Sequence, residues 1–340
     1  MDKSSHTYKS IVSDGKKPYV VDQEFRELKP GEVLVKVEAT TINSVDRLVA
    51  MGLYEAPEFR DNPEYGVGYE GSGIVEEGFG EDEKKLVGSV VAFFQDPSLP
   101  GYQGAWRQYI YLNARDVIPF PPGTDVQSVC SVTNPITVFP MMEQVRDGKH
   151  KAVILGAACS AIGKMIIRKC RQLKIPTISI IRKSHQRVTL EEIGAENILD
   201  STSKTFVEDL KEIATDLEAT IFFDPVGGDL SMKVLEVMPP LSTISFMDNM
   251  SKKKVVIDPL QIIFAQKTIT SVNLSEWMKV QSQERIGEVI GEIAGDLAQG
   301  GEVYGTDIYT SYSLFELKDA LKSSYTTASR GKTIFKPNSL

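Results

Sequence analysis

The rhythm of hydrophobic and polar positions changes twice along this 340-residue chain. In the first third, short alternating or apolar runs, among them "GEVLVKVEATTI", "GYEGSGIVEEG", "GSVVAFF" and "GAWRQYIYL", are each bounded by Gly, Pro, Asn or Asp. Successive side chains of a strand face opposite sides of a sheet, so this spacing predicts an antiparallel, β-rich domain. The segment "IPFPPGTD" over 118–125, with three prolines and a glycine, breaks the pattern and reads as a linker.

From about Asp125 the texture differs. "AVILGAA" is a continuous apolar run, as a strand buried on both faces of a parallel sheet requires. "SAIGKMIIRKCRQL" spaces its apolar residues as a helix does, with Ser160 placed to cap the first turn. The alternation continues through the strand "TISII", the helix "HQRVTLEEIG" ended by Gly194, the strand "ENILD" and the helix "TFVEDLKEIAT". "ATIFFD", "GGDLSMKVLEVM" and "STISFM" extend it as strand, helix and strand. Such an order predicts βαβ units with right-handed crossovers, hence a doubly wound parallel sheet of the Rossmann kind. One helical segment, "SEWMKVQSQERIGEVIGEIAGDLAQGG", then leads into a strand-rich tail that ends in "GKTIFKP" and returns to the texture of the first third. The expected class is α/β: a first β-rich domain over 1–124, a Rossmann domain over 125–302, and a return over 303–340 that completes the first domain.

Composition narrows the function classes. With 41% hydrophobic and 25% charged residues, the chain is of globular type and long enough for two cores. A formal net charge of −8 argues against nucleic-acid binding, which uses basic faces. No run approaches the roughly 20 apolar residues that span a bilayer. "MDKSSHTYKS" has neither the apolar core of a secretion signal nor the character of a transit peptide. The expectation is a cytoplasmic protein, or a mitochondrial one if a transit peptide has been removed. Cys130, Cys159 and Cys170 fit neither a metal pair nor a disulfide framework, and His6, His150 and His185 are too few for a histidine-rich metal site.

The turn "GAACSAIG" over 156–163 carries the first chemistry. An anion at a helix start needs free backbone N–H groups and small residues around them. Ala157, Ala158, Ser160 and Ala161 are small, and Gly163 lets the helix pack closely. The strict G-x-G-x-x-G is missing, so a turn with no ligand fits the same residues. Cys159 stands where a thiol pKa can fall, yet filling the turn is its plainer role. Downstream, "TISII" runs into "IIRKSHQR". A site for NAD places an acid here on the ribose 2′-hydroxyl, whereas Arg182, Lys183, Ser184 and Arg187 offer cations and a hydroxyl suited to a 2′-phosphate. NADPH is therefore favoured over NADH. The alternative is a solvated basic face, although cations at a helix start oppose its macrodipole and an anionic ligand would relieve them.

In order along the chain, "INSVDRLVAMGLYE", "GVGYEGSGIVEE", "GAWRQYIYLNARDVIPFPPG", "TNPITVFPM" and "FFDPVGG" resemble signature segments of the medium-chain dehydrogenase/reductase superfamily, in its zinc-free form. That resemblance implies a GroES-like catalytic domain, 1–124 with 303–340, around a Rossmann cofactor domain. Zinc-dependent members place a cysteine ahead of the Asp46 position and a histidine before the glutamate. Here Ser44 or Val45, and Tyr69 in "GYEG", occupy those places, and the four-cysteine lobe is lacking. No zinc site is expected without thiolate and imidazole ligands. "SAIGKMIIRKCRQLKIPTISIIR", "TNPIT", "MSKKKVVI" and "LSEWMK" are more similar to mitochondrial-type 2-enoyl thioester reductases than to quinone oxidoreductases.

The resemblance implies a proton donor at Tyr54 in "MGLYE". A phenol stays protonated at neutral pH and can hydrogen-bond a thioester oxygen or protonate an enolate. An aromatic plug at a loop tip is the alternative. For the cofactor, the resemblance implies Asn134 beside the nicotinamide ribose and Cys159, Ser160, Ala161, Ile162 and Gly163 at the pyrophosphate. Arg182, Lys183, Ser184 and Arg187 would surround the 2′-phosphate. Further contacts fall on Met247, Asp248, Asn249 and Met250, on Val272, Asn273 and Leu274, and on Lys332. Two departures stand out. Asp248 and Asn249 replace a usual glycine pair, and Val272-Asn273 replaces the Phe-Trp that walls an acyl pocket. Tyr65 and Tyr69 read as packing or pocket lining, and Trp106 and Trp277 as core.

The expected activity is NADPH-dependent, zinc-independent hydride transfer to an activated C=C bond of a 2-enoyl thioester or enone. The departures keep open an NADPH:quinone oxidoreductase and, from another class, a non-catalytic NADPH-binding sensor or crystallin-like protein. A small-molecule substrate and a homodimer are implied by the resemblance, with no nucleic-acid or membrane partner.

Overall fold

Six parallel strands form one sheet, in the order Asn197–Asp200, Thr177–Ile181, Ala152–Leu155, Ala219–Asp224, Thr243–Phe246 and Thr268–Ser271. The strand order reverses beside Ala152–Leu155, which creates the crevice where doubly wound sheets bind ligands. All four residues of that central strand are buried, as the continuous apolar run requires. Ile154, Ile178, Ile180, Phe222, Leu210 and Val234 share one core with it. The helix Ala161–Gln172 buries Met165, Ile166 and Cys170, with Lys169 and Arg171 in its last turn, where cations suit the helix dipole.

The computed structural model describes residues 6–54 and 63–339. It divides into two compact units, Met1–Thr133 with Ile290–Leu340, and Asn134–Val289. Hydrogen bonds and packing account for bounds that differ from the sequence-based ones. Ser72 Oγ donates to the Val126 carbonyl, and Cys130 packs with Ala39 and Ile334, so residues beyond Asp125 belong with the first unit. Further on, Asp296 accepts the backbone N–H groups of Val303 and Tyr304, and the Tyr304 hydroxyl donates to Glu292 at 2.6 Å.

The first unit holds a seven-stranded sheet in the order Ile308–Tyr312, Lys332–Phe335, Glu32–Thr41, Glu70–Gly78, Val90–Phe94 and Val117–Pro119, with Tyr109–Asn113 also paired to Glu32–Thr41. A second sheet has the order Pro18–Glu24, Thr7–Ser13 and Tyr65–Gly66. Alternate residues Val33, Val35 and Val37 bury into one core with Val75, Val91 and Ile110. Trp106 is fully buried in a second core, edge-on to Phe335, and its ring N–H donates to the Thr41 carbonyl at 2.9 Å.

Four elements differ from the sequence-based expectation. The linker begins late, because Val117–Pro119 pairs with Val91–Phe93 and the Phe120 N–H still bonds to Val90. Thr133–Asp147 is a helix despite Pro140 in its interior. The long helical segment is two helices, Leu274–Val280 and Gln283–Ala298, because Gln281 is extended at φ −82°, ψ 147°. Within the strand-rich tail, Leu317–Thr326 is a helix that buries Ala320, preceded by Ser313, whose N–H and hydroxyl both donate to Glu316. Among the described residues, no helix is long and apolar enough to cross a membrane.

Candidate functional site

In the Asn134–Val289 unit the turn after Ala152–Leu155 is built for a small helix start. Ala157 has a φ of 44°, in the left-handed region that few side chains adopt. Ser160 caps the helix: its hydroxyl accepts the Gly163 N–H at 3.1 Å and its carbonyl the Lys164 N–H at 2.9 Å. The N–H groups of Ala161 and Ile162 are those a helix start leaves to an outside acceptor. A Cβ on Gly163 would lie 2.5 Å from the Ala158 carbonyl oxygen, so only glycine lets helix and turn approach this closely. Cys159 is buried, its thiol donates to the Gln186 carbonyl at 3.4 Å, and burial pushes that thiol up to about 11. It fills the turn.

At the end of the neighbouring strand, the backbone N–H groups of Arg182 and Lys183 both donate to Gln186 Oε1 at 3.1 Å. The side chains of Arg182, Lys183 and Ser184 are exposed. Among the described residues, neither cation has a side-chain hydrogen bond or ion pair. Arg187 is engaged differently. Its Nη2 donates to the Ile198 carbonyl at 2.7 Å and its Nη1 lies 3.8 Å from Glu191, which ties its helix to the strand Asn197–Asp200.

The later loop is zipped to the "DPVGG" turn. The N–H groups of Met247, Met250 and Ser251 bond to the carbonyls of Asp224, Pro225 and Val226. Asp224 is buried and accepts the N–H groups of Val226 and Gly227 and the Ser231 hydroxyl. Asn249 packs over Gly227, where a Cβ would come within 2.5 Å of Asn249 Oδ1, and Asp248 accepts the Asn249 N–H. Asn273 is a helix cap, accepting the Glu276 N–H at 3.1 Å ahead of Leu274, while the Val272 N–H bonds to Phe246. Asn134 is half-buried in the first turn of Thr133–Asp147. Trp277 is not core: it is half-buried, and its ring N–H donates to Glu143 at 2.7 Å.

In the other unit, the short helix Ser44–Ala50 leads to Tyr54. Tyr54 is half-buried against the cluster that contains Val49, Tyr65 and Tyr102. Burial raises its phenol pKa and Asp96 adds to the rise, against a hydrogen bond with Ser98. The phenol therefore keeps its proton. The Tyr65 hydroxyl donates to the Val49 carbonyl at 3.0 Å and the Tyr69 ring packs at 6.0 Å from Phe94, so both tyrosines pack.

Sequence reasoning missed the polar network beneath this helix. Glu70 is fully buried and accepts four donors: the Thr41 hydroxyl, the Asn43 side-chain amide, and the N–H and hydroxyl of Thr133. Lys332 belongs here, its ammonium donating to Asn43 Oδ1. Asp46 Oδ2 accepts the Asn43 N–H at 2.6 Å, and the carboxyl is buried, with the backbone N–H of Tyr69 also directed at it. Burial pushes the Asp46 carboxyl up to about 7, Glu70 adds to the rise and Lys332 opposes it. Burial lowers the Lys332 ammonium, while Glu70 and Asp46 raise it. Asp46 and Glu70 lie in segments that carry other polar residues, so neither acid stood out in the sequence. No group of three or more His, Cys, Asp or Glu among the described residues is placed to hold a metal.

Comparison with known proteins agrees with this architecture. Residues 29–122 match the alcohol dehydrogenase GroES-like domain family. Over 206 residues, 58% of the chain, the sequence is 27% identical to the mitochondrial enoyl-[acyl-carrier-protein] reductase of Mus musculus. The match spans just over half of that relative, 54% of its length. A Mesorhizobium loti protein assigned as an NADPH:quinone reductase superposes over 98% of this chain and 99% of its own, at a TM-score of 0.84 and 25% identity. The complex of Etr1p with NADP and crotonyl-CoA shares the fold, with a TM-score of 0.80 over 97% of this chain and 99% of its own at 20% identity.

Proposed function

Because the chain resembles the zinc-free medium-chain dehydrogenase/reductases and shares their fold, we propose that it is an NADPH-dependent reductase of activated C=C bonds. The substrate in this reading is a 2-enoyl thioester or an enone. The observation that carries it is the end of the strand Thr177–Ile181, where two exposed cations, Arg182 and Lys183, stand in place of the acid an NAD site uses. Arg182 and Lys183 bind the 2′-phosphate by charge-assisted hydrogen bonds, and the Ser184 hydroxyl adds a further donor. Ala161 and Ile162 offer their N–H groups to the pyrophosphate at the positive end of a 12-residue helix. Asn134 and the loop Met247–Met250 are the further cofactor contacts. When bound, the cofactor supplies a hydride to the β-carbon of the alkene. Tyr54 holds a proton through neutral pH and delivers it to the α-carbon, so that the C=C bond takes up one hydride and one proton.

A quinone acceptor is the second reading. It is favoured by the likeness to the Mesorhizobium loti protein over nearly the whole chain, and by Asn273 at the place of an aromatic pocket wall. Steady-state NADPH oxidation with crotonyl-CoA, a simple enone and a 1,4-quinone tests both. Turnover of the alkenes supports the first reading, and turnover of the quinone alone supports the second. Tight NADPH binding with no turnover would make the protein a non-catalytic NADPH binder.

A homodimer belongs to the same reading. All four residues of the outer strand Thr268–Ser271 are exposed, and among the described residues the strand is paired on one side only. An open edge of this kind can pair with the same edge of a second copy about a two-fold axis. Sedimentation should give a dimer that Ile269→Lys converts to a monomer, and a wild-type monomer would overturn it.

A further inference from the structure

We propose that Ser98 and Asp96 are positioning residues for the Tyr54 hydroxyl. A single serine hydrogen, shared between the Asp96 carboxyl and the phenol oxygen, frees the phenol proton for the alkene and meets the charge left behind. The inference rests on the proton-donor role of Tyr54 and adds to it the groups that aim the donor.

The sequence builds the loop that does this. After the strand Val90–Phe94, "QDPSLPGYQG" carries Asp, Pro and Ser in the order that suits a tight turn. The Leu99 N–H bonds to the Asp96 carbonyl at 3.0 Å, which closes the turn, and Pro97 between its ends is buried. Gln95 ties down the base of the loop. Its N–H bonds to the Tyr69 carbonyl at 2.7 Å, and its Oε1 accepts the N–H groups of Gln103 and Gly104 at 3.1 and 3.2 Å. On this frame Asp96 Oδ1 accepts both the N–H and the hydroxyl of Ser98, at 2.9 and 2.6 Å. The Ser98 side chain is also hydrogen-bonded to Tyr54.

Ser98 thus has one hydrogen and two oxygens that can take it. While the hydrogen is on Asp96, the serine oxygen accepts the phenol O–H. When it turns to the phenol oxygen, the phenol proton is released for transfer. Asp96 Oδ1 is not stranded by that turn, because the Ser98 N–H stays on it. As the Tyr54 O–H bond breaks, its electron pair stays on the phenol oxygen and the proton goes to the α-carbon. A hydrogen bond to that charge is roughly twice as strong as one to a neutral oxygen, so Ser98 favours the transition state over the resting phenol. Water at the exposed Ser98 then returns a proton to the phenolate, and the buffer neutralises the hydroxide that remains.

The neighbouring phenols are engaged elsewhere. Tyr65, Tyr102 and Tyr312 share the apolar cluster with Tyr54, and the hydroxyls of Tyr65 and Tyr102 donate to the carbonyls of Val49 and Gly68 at 3.0 and 3.1 Å. Burial raises the Tyr54 pKa, the Asp96 charge raises it further, and the Ser98 hydrogen bond lowers it. The two positioning residues therefore act on the phenol with opposite sign.

The test uses Ser98→Ala, Ser98→Thr and Asp96→Asn, the last of which keeps an oxygen for the Ser98 N–H. Two readouts are needed: kcat and KM on the alkene the wild type accepts, and ionisation of Tyr54 followed by NMR of Cζ-labelled tyrosine. The Tyr54 signal is the one that Tyr54→Phe removes. For Ser98→Ala, kcat should fall by about tenfold to a hundredfold, the worth of one hydrogen bond to a charged group, with the KM for alkene and the affinity for NADPH nearly unchanged. Ser98→Thr, which keeps the hydroxyl, should restore most of the rate. Tyr54 should ionise at higher pH in Ser98→Ala and at lower pH in Asp96→Asn. A merely structural role for the turn would not give shifts of opposite sign. Alkene kcat close to wild type in Ser98→Ala would overturn the proposal and leave the reductase reading intact. So would Tyr54 ionisation that moves in neither variant, or in the same direction in both. If the wild type reduces no alkene, that reading fails, and this role for Ser98 and Asp96 fails with it whatever the titrations give.

Discussion

Thr133 gives both its backbone N–H and its hydroxyl to one oxygen of Glu70, at 2.8 and 2.7 Å. The other oxygen takes the Thr41 hydroxyl at 2.8 Å and the Asn43 amide at 2.9 Å. One buried acid thereby clamps the strand Glu70–Gly78 to the strand Glu32–Thr41, to the start of the helix Ser44–Ala50 and to Thr133.

Glu70→Gln should be strongly destabilising despite its matching shape. Whichever way the new amide is turned, its NH₂ meets donors, so at least one of them loses its acceptor. A buried donor left without its acceptor typically costs about 1–3 kcal/mol. Urea unfolding followed by Trp106 emission in a Trp277→Phe background reports on this unit, because Trp106 lies in its core. A loss under about 1 kcal/mol would mean that the clamp contributes little beyond an ordinary hydrogen bond.

Asp46 sets a pH dependence of definite sign. Its folded-state pKa is raised, to about 7 from 3.8, so between these values the folded chain holds a proton that the unfolded chain has released. Stability from this group should therefore fall as pH rises through that window, and be level below about 4. Asp46→Asn keeps an oxygen for the Asn43 N–H and should flatten the slope. Urea midpoints from pH 4 to 8 for both proteins check this, and equal slopes would place the titration elsewhere.

Tyr54→Phe removes the hydroxyl and keeps the ring in its cluster. Loss of general-acid help costs about 10²–10⁴-fold in rate, so turnover of an enone or enoyl thioester should drop by that order with NADPH affinity unchanged. A hydroquinone takes its protons from water, so quinone turnover should change little. Alkene turnover within a few-fold of wild type would make Tyr54 packing only.

NADPH should bind more tightly than NADH, and Arg182→Ala with Lys183→Ala should abolish most of the difference. Each charge-assisted bond is worth about 1.5–3 kcal/mol, and NADH affinity should hardly move. Fluorescence titration of both cofactors measures it. Equal dissociation constants in the wild type would refute the 2′-phosphate role.

Elements whose stability is written locally were legible in the sequence. Ala152–Leu155 announces itself by four apolar residues in a row, and Ser160 caps where its hydroxyl stands one residue ahead of an amphipathic run. Elements that depend on neighbours were not. Thr268–Ser271 is an edge strand exposed at every position, so it carries no alternation to detect. Thr133–Asp147 holds a proline inside a helix, against local propensity. In the candidate site, the basic residues at 182–184 could be read from their place after a strand. Lys332 could not, because its partner Asn43 lies 289 residues away and no local pattern links them.

The insertion of Lys332–Phe335 beside Glu32–Thr41 fixes an order of assembly. During synthesis Glu32–Thr41 emerges early, with its partners Glu70–Gly78 and Tyr109–Asn113, but Lys332–Phe335 follows only after the whole continuous unit Asn134–Val289 has been made. That later unit has all its sheet partners in one stretch of chain and can fold first, while the earlier one waits across a long loop closure. Until then the nascent protein carries a β-edge at Thr40 and Thr41 and an unfilled place opposite Trp106, where Phe335 will sit. Both are surfaces that invite wrong pairing. Ribosome-bound intermediates arrested between residues 290 and 330 are therefore the species most in need of chaperone cover, and the half of the protein that is made first is the half that folds last.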